Sequence, residues 1–445
     1  MLIKLKNQNS KNDAIKQFFE ATIFFIIPAA YIVGSFSINL ITVLISIYII
    51  ILYFNKKIFF EKREVFFYLF ITIFLIVNSL LADLKGYSLF KSMTYLRFVF
   101  LLYFGIYFLV VTELQVKKIF SLVLLGVIIF TSFDTVIQYI YQVDLFGNKL
   151  DNSVAYARLS GPFGDEYIVG GYLFCFGFIN FALLRIFFNV SRFSEVIFIS
   201  SLSIIIFLTG ERNAFLCTIL FLLILFINSK NLRLTVVMSS FIILISCFLI
   251  LKNSKGLSER YTFNLLPNLV VNYNSIDQKS EKNINNESKI NNYNSIRYKV
   301  KIITNSHWFK HYTAGIKIFK NNILIGSGFK SFRYECKKLK VDKDIICTTH
   351  PHNIYIELIS DMGAIGLFIF LSFIFYIIFY FYKKKLYKND FETIIFAIML
   401  AFIFPLKPHG SIFSTNNAFM IWYVIIFLVW SFFYKNKDRF INSRI

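Results

Sequence analysis

Long apolar runs separated by short polar segments are the dominant pattern of this chain. Most runs are about 20 residues long, which is the length of helix that crosses the hydrocarbon core of a bilayer. Membrane-spanning strands are shorter and alternate in polarity, so the pattern argues against a barrel. We therefore predict an all-α polytopic membrane protein with about twelve transmembrane helices. The predicted spans lie near residues 18–36, 38–54, 65–82, 92–111, 117–139, 166–188, 195–210, 213–228, 234–251, 354–381, 391–406 and 417–434.

Basic residues follow the even-numbered spans, as the clusters within residues 56–63 and 383–388 illustrate. Because loops that stay in the cytoplasm are rich in Lys and Arg, this pattern predicts that both termini are cytoplasmic. Residues 1–16 and 435–445 would then form two cytoplasmic tails. The predicted outer loops are residues 83–91, 140–165, 211–212, 252–353 and 407–416.

The net charge of +22 would favour a nucleic-acid partner in a soluble protein. Here 57% of the residues are hydrophobic and most charges lie in short loops between apolar runs. The charge therefore reports membrane topology. We expect membrane lipid, and no nucleic acid, among the partners.

One outer loop is much longer than the others. Residues 252–353, between spans nine and ten, are too many for a simple connection and are predicted to fold as a periplasmic cap. Within this loop, residues 264–300 are rich in Asn, Ser and Lys and contain the pentapeptide NYNSI twice, which indicates a low-complexity insertion. The loop separates two predicted membrane domains, residues 17–251 and 354–434.

Several charged residues lie where even-numbered spans begin on the outer face. Arg212 lies in the tight turn GERN, where it either snorkels to the interface or grips a phosphate in the bidentate manner that suits arginine. Arg97 lies a turn inside span four and either binds substrate or pairs with Asp134 of span five. Because helix N-termini attract anions, these residues together predict a diphosphate site.

The segment SGPFGDEYIVGGY before span six adds further polar groups. Asp165 is predicted to cap the span, while Arg158 and Glu166 are candidates for contact with substrate. A membrane enzyme that binds a diphosphate at its outer face is expected to use a polyprenyl-diphosphate sugar donor.

Two histidines stand at the start of span ten, in the stretch CTTHPHNIYIELISDMGAIG. The simple interpretation is a polar helix start with Pro351 near the first helical position. However, His350, His352, Asn353 and Glu357 lie within two turns, and the dipole at a helix N-terminus keeps histidine neutral and able to accept a proton. We therefore predict that His352 is a catalytic base and that His350 and Asn353 contact substrate.

The cysteines indicate structure more than chemistry. Cys336 and Cys347 flank a short outer loop, and in an oxidising periplasm they are predicted to form a disulfide. The other three cysteines lie in apolar spans and are expected to be packing residues. No Cys and His spacing resembles a zinc site, so we expect neither a metal nor a cofactor.

The motifs GERNAF, GSGFKSFRYEC and CTTHPHNIYIELISDMGAIG resemble those of the O-antigen ligase and O-antigen polymerase superfamily. The resemblance implies about twelve spans in the bacterial inner membrane, a large periplasmic loop, and metal-independent transfer of a glycan from undecaprenyl diphosphate at the periplasmic face. By this resemblance, His352 corresponds to the family's essential loop histidine and Arg212 to its arginine in the short outer turn.

The family also has an arginine in its large loop, where this chain has His307, Lys310 and His311. Arg297 or Arg260 would have to take that part.

Several functions fit these expectations. An O-antigen ligase would transfer the glycan to lipid A-core, a polymerase would extend a growing glycan, and a protein O-glycosyl ligase would modify a protein. A transporter of polysaccharide or small molecules is the alternative from another class. Transporters place charges near the bilayer midplane and often contain repeated halves, whereas the polar residues here gather at the outer face. We expect a ligase-type enzyme.

Overall fold

A computed structural model describes residues 11–55, 62–150, 158–261, 307–339 and 345–434. Arg297 and the low-complexity stretch 264–300 lie outside the described residues, as do residues 1–10 and 435–445 of the predicted tails. The regular structure of the described residues is helical. The longer helices are α1 (Lys11–Val33), α2 (Ser35–Phe54), α3 (Lys62–Leu80), α4 (Lys85–Tyr95), α5 (Arg97–Val111), α6 (Leu114–Tyr141), α7 (Val169–Phe187, with a π-helical part at Leu173–Gly177), α8 (Arg192–Leu208), α9 (Arg212–Asn228), α10 (Arg233–Asn253), α11 (Lys255–Tyr261), α12 (His307–Asn321), α13 (Phe332–Lys338), α14 (Ile354–Lys383), α15 (Asp390–Phe402) and α16 (Thr415–Val429, continued by a π-helical turn Trp430–Tyr434).

Each predicted apolar run is occupied by helix. Among the described residues, seven helical segments are long and apolar enough to cross a membrane: 35–54, 85–111, 114–141, 169–187, 233–253, 354–383 and 415–433. Three shorter apolar helices lie at 19–33, 68–80 and 212–228. This is the composition of a multi-pass membrane protein, while the number and direction of its spans stay predictions.

Two helix starts differ from the sequence expectation. The span predicted from residue 92 begins earlier, at Lys85, and is interrupted at Leu96 between α4 and α5. Asp165 does not cap the following outer-face helix, since α7 begins at Val169 and Ile168 occupies its N-cap position. A carboxylate from a distant turn serves instead, because Glu211 accepts a hydrogen bond of 2.7 Å from the Gly170 N–H.

Helix α14 is broken at Gly363, whose φ of 67° and ψ of −168° are not helical. The turn that contains Gly326 fills the break, because the N–H groups of Ala364 and Ile365 donate to the carbonyls of Ile323 and Leu324 at 2.8 and 3.1 Å. A Cβ atom on either glycine would collide with the backbone of the other segment. Gly326 of the motif GSGFKSFRYEC and Gly363 of the motif CTTHPHNIYIELISDMGAIG therefore meet in space, and their contact attaches the large loop to α14.

Polar contacts gather at the two ends of the helix bundle. We call one end the site face, because the predicted outer loops meet there: the Leu159 N–H donates to the Thr209 carbonyl at 3.0 Å, and the His409 N–H donates to the His352 carbonyl at 2.7 Å. The other end, the opposite face, joins predicted inner loops. There Arg185 pairs with Glu195 and with Asp390.

Between these faces the bundle has a buried core and an apolar outer surface. Many of the buried side chains belong to a few helices, among them α5, α7, α15 and α16. Side chains on the outer sides of α10 and α14 are exposed, as shown by Leu244 at 69% and Phe368 at 71%. Exposed apolar surface of this extent is expected for helices that contact lipid.

Candidate functional site

The start of α14 positions the central part of the site. Asn353 is the N-cap, and its side-chain oxygen accepts hydrogen bonds from the N–H groups of Tyr355 and Ile356 at 3.0 and 3.2 Å. Its side-chain nitrogen donates to the Pro405 carbonyl at 2.8 Å. This arrangement gives Asn353 a helix-capping role, which stabilises the start of a helix by about 1 kcal/mol.

His352 directly precedes this cap and has a left-handed backbone, with φ at 57°. Residues other than glycine seldom adopt this conformation, and strain of this kind, about 1–3 kcal/mol, concentrates at functional sites. The ring of His352 packs against three others, with centroids 4.2 Å from His350, 4.8 Å from His311 and 5.2 Å from Trp308. We call these four residues the histidine cluster.

Burial favours the neutral form of two imidazoles near His352. It lowers the pKa of His350 to about 4 and also lowers the pKa of His409. The Nδ1 atom of buried His311 lies 3.0 Å from the Ile346 carbonyl, and Nδ1 of buried His409 lies 2.6 Å from the Gly410 carbonyl. A carbonyl can only accept, so in both rings Nδ1 carries a proton. His350 and His409 therefore add little positive charge beside His352 at neutral pH.

Three arginines converge beside the turn that joins α8 and α9. Arg212 begins α9, Arg158 comes from the loop before α7, and Arg260 lies in α11. The Arg260 side chain donates to the Gly210 carbonyl. Burial, together with the charges of Arg158 and Arg212, lowers the pKa of Arg260 to about 10. We call these three residues the arginine cluster.

One carboxylate, Glu211, lies within the arginine cluster. Burial raises its pKa to about 7, although the charges of Arg158 and Arg260 and the N–H groups of Gly170 and Gly171 act in the opposite direction. The guanidinium groups of Arg158 and Arg260 thus act on this carboxyl group, and the charges of Arg158 and Arg212 act on Arg260. Such a group of forked donors is suited to a phosphate or diphosphate.

Arg97 belongs to a different group of cations. It lines a cavity of about 570 Å³ together with Lys91 and Lys330, and we call this space the cationic cavity. Its side chain donates to the Asn39 side-chain oxygen at 2.7 Å. The alternative of an ion pair with Asp134 is wrong, because the Asp134 carboxylate accepts from the Leu145 N–H at 2.8 Å.

The remaining predicted residues take supporting positions. Glu166 is exposed and accepts a hydrogen bond of 2.7 Å from the Asn416 side chain. The structure contains a disulfide between Cys336 and Cys347, with Cα atoms 5.5 Å apart. Cys336 packs in a small apolar core with Ala314 and Ile318 of α12, so the bridge joins the segment before His350 to this core.

Sequence reasoning missed several residues of the site. Lys330 lies within the motif GSGFKSFRYEC, but it was not singled out as a site residue. His311 was considered only as part of the large loop. A usable signal for His409 exists, because the predicted outer loops hold all five histidines of the chain. Glu357 has a structural role, since it accepts hydrogen bonds from the Ser411 hydroxyl and from the Ile412 N–H.

The fold and the site define a multi-pass helical membrane protein whose histidines and two groups of cations collect at one face. Residues 196–371 match the family model described as O-Antigen ligase. The match spans less than half of the 445-residue chain and includes Arg212, Arg260 and His352. It confirms the resemblance to the O-antigen ligase superfamily, and it is consistent with glycosyl transfer of the ligase or polymerase type. A search of curated proteins found no match.

Proposed function

We propose that this protein is an O-antigen ligase-like glycosyltransferase of the bacterial inner membrane. It would move a glycan from undecaprenyl diphosphate to a hydroxyl group of lipid A-core at the periplasmic face. The observation that carries this proposal is the arginine cluster, in which the charges of Arg158 and Arg212 act on Arg260 and those of Arg158 and Arg260 act on Glu211. The family match over residues 196–371 supports the same class of reaction.

The proposed reaction needs a base and a stabilised leaving group. His352 takes the proton from the acceptor hydroxyl, and the acceptor oxygen forms a bond to the anomeric carbon. The bond from that carbon to the diphosphate oxygen breaks, which inverts the anomeric centre. The arginine cluster stabilises the charge that develops on the departing diphosphate, so neither a general acid nor a metal is required. The proton then passes from His352 to water.

The position of His352 supports its role as the base. It is held by the hydrogen bond from the His409 N–H to its carbonyl and by the rings of the histidine cluster. A neutral imidazole in this place can take the proton of the acceptor hydroxyl. His350, with a pKa of about 4, stays neutral and contributes to positioning.

Deletion of the gene, followed by electrophoresis of the surface glycan, tests this function. Unmodified lipid A-core with accumulated lipid-linked polymer is the expected result. Lipid A-core that carries a single repeat unit would indicate a polymerase that uses the same donor. Unchanged surface glycan with loss of protein glycosylation would indicate a protein acceptor, and an unchanged glycan and protein profile would contradict glycosyl transfer.

A further inference from the structure

The cationic cavity and the arginine cluster share no residues. It lies between α2, α4, α5 and the segment that contains Phe329 and Lys330. Its lining includes three cations, Lys91, Arg97 and Lys330, and the described lining residues include no carboxylate. An excess of positive charge without a carboxylate partner is the property expected of an anion site.

Neutral groups hold the three cations within the cavity. Arg97 donates to Asn39 and lies over the Phe98 ring at 4.6 Å, while its Nε has no hydrogen-bond partner. The Lys91 ammonium lies 5.5 Å from the Phe90 ring. Lys330 donates to the Phe413 carbonyl at 3.2 Å, and the carboxyl group of Glu357 acts on it from outside the lining.

The other part of the lining is apolar and faces outward. Val43, Ile47 and Ile50 occupy one side of α2 and are 47%, 50% and 41% exposed. Phe90 adds a further exposed ring at 63%. The cavity therefore opens on the apolar side of the bundle, where lipid chains would lie, and its cations lie beside this apolar surface.

We propose that the cationic cavity binds the phosphate-bearing headgroup of a lipid-anchored acceptor, which enters laterally from the membrane. The combination of three cations and exposed aliphatic side chains in one cavity fits an anionic amphiphile. The inference rests on the proposed function, because it assigns the acceptor to this cavity and the donor diphosphate to the arginine cluster. It selects a phosphorylated lipid over a protein as the acceptor.

The location relative to the histidine cluster supports this assignment. The charge of Lys330 acts on His350, and Phe413 of the cavity lining follows Ile412, which is bound by Glu357 of α14. The cationic cavity and the histidine cluster therefore adjoin each other. A headgroup in the cavity would present its glycan toward His352.

Lipid binding to the purified full-length protein tests the inference by native mass spectrometry. The probes are phosphatidic acid, the diacylglycerol with the same chains, and inorganic phosphate. The wild-type protein is expected to bind phosphatidic acid about tenfold more tightly than diacylglycerol, which corresponds to about 1.4 kcal/mol. The double variant Arg97→Gln with Lys330→Gln should lose this preference, and the matched control Lys320→Gln, which removes an exposed charge on α12, should keep it.

Equal preference in the double variant and the wild type would overturn the proposal. Binding of inorganic phosphate as tight as that of phosphatidic acid would also overturn it, by indicating a site for a free anion. If the double variant does not fold, Ile47→Trp provides the second test, because it fills the apolar part and leaves the cations in place. Ile47→Trp should weaken phosphatidic acid binding about tenfold and leave phosphate binding unchanged; an unaltered lipid affinity would refute lateral entry.

A transfer assay separates this inference from the proposed function. Removal of phosphate from the lipid acceptor should raise KM about tenfold and leave kcat unchanged. If transfer occurs and the phosphate has no effect, the acceptor assignment fails while the proposed function stands. If phosphatidic acid binds as expected and no glycan is transferred to any acceptor, the proposed function fails and the lipid site stands.

Discussion

The two polar ends of the helix bundle differ in the partners of their positively charged residues. At the opposite face, Arg185 pairs with Glu195 and, at 2.8 Å, with Asp390. Hydroxyl groups complete this network, since Thr235 donates to Glu195 and Ser229 donates to Asp390. At the site face, the three arginines of the arginine cluster lie close enough to lower the pKa of Arg260, and three more cations line a cavity whose described lining residues include no carboxylate.

The difference separates a structural charge network from a ligand site. An arginine with two carboxylates needs no further partner, and its loss is felt as a loss of stability. Excess positive charge is unfavourable in the free protein and becomes favourable when an anion binds. Variants of the two faces should therefore change different measurements.

Replacement of His352 should have the largest effect on transfer. Both His352→Ala and His352→Asn remove the base and should lower kcat by about 10²–10⁴-fold. Asparagine tolerates the left-handed backbone better than alanine, so His352→Asn separates the lost chemistry from the lost conformation. The rate of glycan transfer is measured on protein shown to be inserted and folded, and wild-type transfer by His352→Asn would disprove the assignment.

Conservative changes in the arginine cluster should come next. Arg212→Lys and Arg260→Lys keep the charge and remove the planar fork, so each should reduce kcat/KM for the diphosphate donor by about 10- to 100-fold. Lys320→Arg, an exposed change on the same face, is the control. Full activity in both lysine variants would mean that these arginines contact lipid headgroups in general.

A change at the opposite face should alter stability and leave the chemistry intact. Asp390→Asn removes a partner of Arg185, and we expect a loss of about 1–3 kcal/mol in the free energy of unfolding. Thermal unfolding in detergent measures this loss, and transfer per folded molecule should stay at the wild-type value. A fall in kcat/KM without a fall in thermal stability would erase the distinction between the two faces.

The smallest effect is a pH dependence from Glu211. Its folded pKa is raised to about 7 from an ordinary value of 4.5, so its contribution to stability is present below pH 4.5 and is lost as the pH rises through about 7. The ionised carboxylate also lowers the net charge of the arginine cluster, so binding of undecaprenyl diphosphate should weaken a few-fold over the same rise in pH.

Glu211→Gln should remove this dependence, because an amide does not ionise. Donor affinity, measured between pH 6 and pH 8, is the appropriate readout, since kcat also reflects the titration of the base. An identical pH profile for the variant and the wild type would exclude Glu211 as the titrating group.

Much of the fold could be predicted from hydrophobic patterning. Each apolar run of membrane-spanning length is occupied by helix, because backbone groups in lipid must be paired within a segment. The helices α11, α12 and α13 lie within the predicted loop 252–353 and were not indicated by these runs. The interruptions at Leu96 and Gly363 could not be predicted in this way. They depend on contacts with distant segments, as when the Gly326 turn supplies the hydrogen bonds that α14 lacks at its break.

The site was predictable to the extent that its residues are unusual for their surroundings. Arg212 and His352 are polar groups at the ends of apolar runs and were proposed on that basis, and their roles stay predictions. Lys330 and His409 lie in polar loops, where lysine and histidine are ordinary. Their roles arise because the chain brings them to the start of α14 from about 20 residues before and 60 residues after it, a relationship that local propensity does not encode.

In the proposed enzyme, the break at Gly363 would also set how far His352 lies from the hydrocarbon core of the membrane. The part of α14 after the break, residues 364–383, rises about 30 Å at 1.5 Å per residue, which matches the hydrocarbon core of a bilayer without help from the part before it. The preceding segment, with His352 at its head, is thereby free to stand among the lipid headgroups. The length of this helix would hold the His352 imidazole at the same depth as the diphosphate of a lipid whose chain is anchored in the same bilayer.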